Sequence, residues 1–160
     1  MNRIAALLLA TLLLAVVAGA EERQEEGKKT SLQVEGYARE TPPAVKMSAA
    51  YLTLHNHGTS ARRLLAVELP GQGQASAHLH TTVEEDGISR MRPLELLEVP
   101  AGGSIRMAPG GVHLMLHGVR LRAGDQLPLR LRFADGQVIE ISVPVRKLRA
   151  TADPHRHHHG

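Results

Sequence analysis

Three side chains at alternating positions, His113, Met115 and His117, lie in the stretch GGVHLMLHGV at residues 110–119. Read as a β-strand entered through a Gly-Gly turn, the stretch puts these three on one face. Val112, Leu114 and Leu116 fall on the other, because strand side chains alternate with period 2. Imidazole beside thioether is a metal-binding combination. Thioether sulfur is soft and uncharged, and soft donors favour Cu(I). Zinc sites are built from thiolate, imidazole or carboxylate, so a thioether-rich set offers zinc little.

A second group lies in AHLHTTVEEDGISRMRPL, residues 77–94, where His78 and His80 alternate with Ala77 and Leu79. Asp86-Gly87 is a hairpin-turn signal. A two-residue loop there predicts Val83 opposite Arg90, Thr82 opposite Met91 and His80 opposite Pro93, with Met91 the diagonal neighbour of His80. A four-residue loop predicts His80 directly opposite Met91. Either even-length loop projects His80 and Met91 from one face of the hairpin; an odd length does not.

The resulting candidate metal ligands are His80, Met91, His113 and Met115. Two imidazoles and two thioethers are all neutral, so bound Cu(I) keeps its single positive charge. Such a set suits a carrier, since a partner offering thiolates can take the ion. His78 shares the face of His80, and His117 that of His113; each is either an additional, exchanging ligand or an exposed strand histidine. Met107, in phase with Ile105, and Met47, next to Lys46, read as core packing. His55 and His57 in LHNHG read as surface residues at a turn. Glu84, Glu85 and Asp86 sit at the hairpin tip as solvated charge, no nucleophile–base set can be argued, and the protein is read as not an enzyme.

These residues must be held by strands. Candidate strands are Leu32–Ala38, Ala49–Asn56, Arg62–Leu69, Gln74–Val83, Ile88–Arg92, Leu94–Val99, Ser104–Met107, Val112–Val119, Gln126–Phe133 and Gln137–Val145. Pro-Gly, Asp-Gly and Gly-Gly punctuation separates them. Many short strands at this spacing predict an all-β antiparallel sandwich or barrel. Phe133, Tyr37 and Tyr51 are the only aromatics, so the core must be Leu, Val and Ile.

The 160 residues contain no Cys, which removes thiolate zinc, iron–sulfur and blue-copper sites. The chain opens MNRIAALLLATLLLAVVAGA, which reads as a secretory signal peptide cut after Ala20. Its apolar run is shorter than the roughly 18 residues of a membrane anchor, and no Cys follows to carry a lipid. The expected organisation is a signal peptide at 1–20, a flexible charged segment at 21–30, one domain at 31–146 and a polar tail at 147–160. Formal net charge is +3, falling by one with Arg3. There is no basic stripe with interleaved aromatics, so nucleic acid is not an expected partner. The tail residues His155, His157, His158 and His159 form a compositional metal-binding tract, expected to capture Cu(II) loosely.

The spacing His80-X10-Met91-X21-His113-X-Met115 resembles the signature of the PCu(A)C-type periplasmic copper chaperones. RMRPLELLEVPAGGSIRMAPGGVHLMLHGV and ARETPPAVKMSAAYLTLHNHG resemble that family's surrounding text, and the likeness spans residues 33–146. The resemblance implies a cupredoxin-like β-sandwich and a solvent-accessible Cu(I) site at His80, Met91, His113 and Met115. It further implies delivery to the CuA centre of cytochrome c oxidase subunit II, directly or with a Sco-type thiol protein. Two positions depart from the family: Ser89 stands where many relatives have a second Met, and His117 where relatives often have Met. The competing readings are a periplasmic copper buffer that binds through its His-rich tail, and a redox-active copper enzyme.

Overall fold

The computed structural model describes residues 31–148. The expected signal peptide, the segment at 21–30 and the tail histidines 155–159 lie outside these residues. The ten strands are β1 (Leu32–Arg39), β2 (Met47–Asn56), β3 (Arg62–Glu68), β4 (Ser76–Glu85), β5 (Ile88–Pro93), β6 (Leu97–Val99), β7 (Ser104–Arg106), β8 (His113–His117), β9 (Gln126–Phe133) and β10 (Val138–Arg146). Every candidate run becomes a strand, and the described residues contain no helix. The boundaries differ most at β6, which begins at Leu97 and not at Leu94. β8 stops at His117 because Gly118 has φ +76°, a region that non-glycine residues rarely enter.

The strands hydrogen-bond in the order β5-β4-β8-β2-β1-β10-β9-β3-β6, with β7 on β2 and a further β3–β4 contact. That last contact, Val67 opposite Ala77, brings the sheet back on itself. One pair departs from the antiparallel expectation: β1 and β10 run parallel, with Ala38 opposite Val145. The consequence for the site is that β8 lies between β2 and β4, away from either edge.

Alternation on these strands builds the core. Leu52 and Leu54 of β2, Leu114 and Leu116 of β8, and Leu127, Leu129 and Leu131 of β9 are completely buried. Burying one such side chain contributes about 1.5–3 kcal/mol. Met107 joins this cluster as expected. Met47 does not: it is 42% exposed. β2 begins with Met47 on its outer face, so its neighbours Ser48 and Ala50 take the buried positions and the core-packing reading of Met47 is corrected.

Asn56, at the end of β2, is buried and fully used. Its amide donates to the carbonyls of Ser60, Val99 and Pro100, and its Oδ1 accepts the Gly58 N–H at 3.0 Å. This pins the turn after β2 to the β6–β7 connection. His55 and His57 lie at this same end, their rings stacked 6.3 Å apart. His55 bonds Ser104 and lies 4.0 Å from Glu35, which fits a surface role.

Candidate metal centre

The hairpin β4–β5 closes through Asp86 and Gly87, with φ of 54° and 74°. Two successive positive φ values make the tight turn that Asp-Gly favours. The register is therefore that of the two-residue loop, with Val83 opposite Arg90, Thr82 opposite Met91 and His80 opposite Pro93. On its other side β4 meets β8, with His80 opposite His113, Leu79 opposite Leu114 and His78 opposite Met115. Directly opposed residues share a face. His80, His113, His78 and Met115 therefore stand together, backed by buried Leu79 and Leu114.

The two facing imidazoles are already organised. Their rings stack at 6.0 Å between centroids and 21° between planes. His113 Nδ1 lies 2.9 Å from the Gly111 carbonyl and His80 Nδ1 3.3 Å from the His78 carbonyl. A carbonyl only accepts, so Nδ1 carries the proton in each ring, and the lone pair is on Nε2. This is the arrangement that metal-ligating histidines show, with the outer N–H tied to a carbonyl.

His113 is 6% exposed, which corrects the expectation of a wholly outward face. The turn before β8 is folded down onto β4: the Thr82 N–H donates to the Gly111 carbonyl, and Ala108 N–H to Val112. Tyr51, on β2, walls the other side, its ring 6.5 Å from that of His113. Burial pushes the Tyr51 phenol above its ordinary pKa, against the pull of Arg39, whose guanidinium sits 5.2 Å over the ring. Tyr51 thus faces the site as a neutral group. Its place was not legible from sequence, because it depends on β2 lying beside β8.

Met91 stands apart from the other three. All six residues of β5 are exposed, and Met91 is 54% exposed. It is the diagonal neighbour of His80 through Thr82, on the opposite side from Met115. In a flat sheet the two methionine Cα atoms would be roughly 16 Å apart, more than two Met side chains and one ion span. Only sheet twist or bending of the exposed hairpin would bring Met91 to the other three. The structure thus assembles His80, His113 and Met115 and leaves Met91 as an arm. Among the described residues no three His, Cys, Asp or Glu side chains gather as a metal site.

Residues 33–145 match the family described as "Putative lipoprotein LpqE-like". A curated relative, "Putative lipoprotein Lxx21020" of Leifsonia xyli subsp. xyli, is 34% identical over 103 residues. The match covers 62% of this chain and 61% of that relative, so the chain spans under two thirds of the relative's length. Among solved structures, the Cu(I)-loaded protein DR1885 of Deinococcus radiodurans is 26% identical, with a TM-score of 0.59 over 78% of this chain and 85% of that one. The apo PCuAC domain from PmoF1 is also 26% identical, TM-score 0.58, over 74% and 95%. The copper-bound PCuAC domain from PmoF2 superposes with TM-score 0.61 at 18% identity, over 74% and 94%. The fold is that of these domains, a cupredoxin-like β-sandwich.

Proposed function

This chain belongs to the LpqE-like family, and we infer that within it the protein is a copper-binding carrier that holds one Cu(I) between β4 and β8. His80, His113 and Met115 form the base of the site, and Met91 closes it from the β4–β5 hairpin. The observation that carries this reading is the facing pair His80–His113, each with Nδ1 tied to a carbonyl and a thioether on the same face. The 26% identity with a protein solved with Cu(I) supports it.

The work asked of such a site is to hold Cu(I) and then release it. Nitrogen and sulfur donors without charge bind the ion, and thiolates outcompete thioethers for it. The recipient we infer is therefore a thiolate-rich centre, the CuA site of cytochrome c oxidase subunit II, reached directly or through a Sco-type thiol protein. Handover exchanges donor bonds on the ion and converts no substrate, so the role is that of a carrier and not an enzyme. The apolar opening of the sequence and the lipoprotein descriptions of the family and its relative support a location outside the cytoplasm.

Anaerobic Cu(I) competition against a coloured chelator tests the site. His80→Ala and Met115→Ala are each expected to weaken the tightest Cu(I) by at least about tenfold, or about 1.4 kcal/mol. Met91→Ala is expected to cost less, because ordering an exposed, rotamer-rich side chain takes back about 0.5–1.5 kcal/mol. Near-identical curves for wild type, His80→Ala and Met115→Ala would remove both residues from the site.

Removing residues 149–160 separates the carrier from a buffer. The carrier keeps its tightest Cu(I) after truncation, whereas a tail-based buffer loses most of its capacity.

A further inference from the structure

The donors on the outer face of this sheet do not end at the site just described. Toward the other end of β8, His117 stands directly opposite Met47 of β2 and directly opposite Ser76 of β4. His78, two residues along β4, is its diagonal neighbour. The His78 and His117 rings lie 5.6 Å apart at 68°. Because opposed residues share a face, Met47, His117, His78 and Met115 all project together. Met47 and Met115 also line one shallow concavity of about 320 Å³, floored by Ala49 and flanked by Val45. Arg39 and Glu40 at its edge offset each other in charge.

We propose that Met47, His78 and His117 form a second Cu(I) site, with Met115 the donor shared with the first. Two imidazoles and one thioether are again neutral and soft enough for Cu(I) and poor for zinc. His78 Nε2 lies 3.0 Å from Ser76 Oγ, a hydroxyl that serves either tautomer of the ring. Met47, 42% exposed, is within reach of an ion arriving from solvent. The site is more open than the first, whose His113 is buried, and should bind more weakly. Met115, opposite His78, lets an ion exchange ligands stepwise along β8 toward the surface. That relay rests on the carrier reading, but the second site does not.

The test is anaerobic Cu(I) titration of the full chain, so that the tail contributes equally in every variant. Wild type is expected to bind one equivalent more than Met47→Leu/His117→Ala, which keeps the tightest equivalent within about twofold. His80→Ala/His113→Ala should lose that tightest equivalent and keep the second. Met47→Leu alone, a near-isosteric change at an exposed position, should weaken the second equivalent about tenfold and leave thermal unfolding unaltered. Equal stoichiometry in wild type and Met47→Leu/His117→Ala, or a second equivalent indifferent to Met47→Leu, would overturn the proposal. If His80→Ala/His113→Ala bound like wild type while Met47→Leu/His117→Ala still lost one equivalent, the carrier site would fall and the second site would stand.

Discussion

Replacing His113 with Ala is expected to weaken Cu(I) binding more than any other single change, by at least about 100-fold, or about 2.7 kcal/mol. Each candidate ligand gives up one donor bond when truncated, so the differences come from what each bond costs to form. His113 is buried, its ring is held by the Gly111 carbonyl, and Tyr51 and His80 flank it. Little rotamer freedom is left to lose on binding, so nearly all of the bond energy appears as affinity. His80 has the longer Nδ1 contact and is only half-buried. Met91 is mostly in water. The expected order of loss is therefore His113, then His80 and Met115, then Met91. Chelator competition reads this order directly. Circular dichroism of the copper-free variants checks that His113→Ala is still folded.

The second large effect concerns stability. Leu114 separates His113 from Met115 on β8, is completely buried, and is opposed by Ala50 on one side and Leu79 on the other. With neighbouring strands fixed by ladders on both sides, the site cannot collapse around a missing side chain. Leu114→Ala is expected to cost about 3 kcal/mol or more and to lower the melting temperature by about 10 °C. Because Leu114 points away from the donors, copper should still bind the folded variant. At a free Cu(I) concentration 100 times the dissociation constant, binding restores about 2.7 kcal/mol. A variant that melted like wild type without copper would contradict this packing, and one that folded but bound no copper would show that Leu114 also holds the ligands in place.

The strands and the hairpin register could be read from sequence because both are local properties. Short apolar or alternating runs between turn signals marked all ten strands, and Asp86-Gly87 narrowed the pairing of β4 with β5 to two even-length registers, both with His80 and Met91 on one face, and the structure adopts the one with Thr82 opposite Met91. The burial of Leu79, Leu114 and Leu116 followed from the same alternation. What escaped was everything set by long-range neighbours. No local signal says that β2 lies against β8, so Met47 looked like core and Tyr51 was not placed beside His113. The parallel contact of β1 with β10 likewise depends on the path of the whole chain. Leu94–Leu96 read as strand from composition, but only Leu97–Val99 pairs, opposite Arg62–Leu64. Leu94 instead bonds the Leu79 carbonyl, and Leu96 faces water.

His113 shows the same division. Alternation assigned it correctly to the face of Met115. Its burial came from the fold of the preceding turn, in which Gly110 has φ +79° and the Gly111 carbonyl accepts from Thr82. The two-histidine, two-methionine set could be proposed from spacing, but its asymmetry could not. Three of its members are assembled on β4 and β8, and the fourth sits on an exposed arm.

X-ray absorption at the copper edge, on protein loaded anaerobically with less than one equivalent of Cu(I), is the most direct measurement of the central claim. Imidazole nitrogen and thioether sulfur should both appear in the coordination shell, and the sulfur contribution should fall in Met115→Ala. A shell of nitrogen and oxygen alone, unchanged in Met115→Ala, would mean that the face between β4 and β8 does not hold the ion.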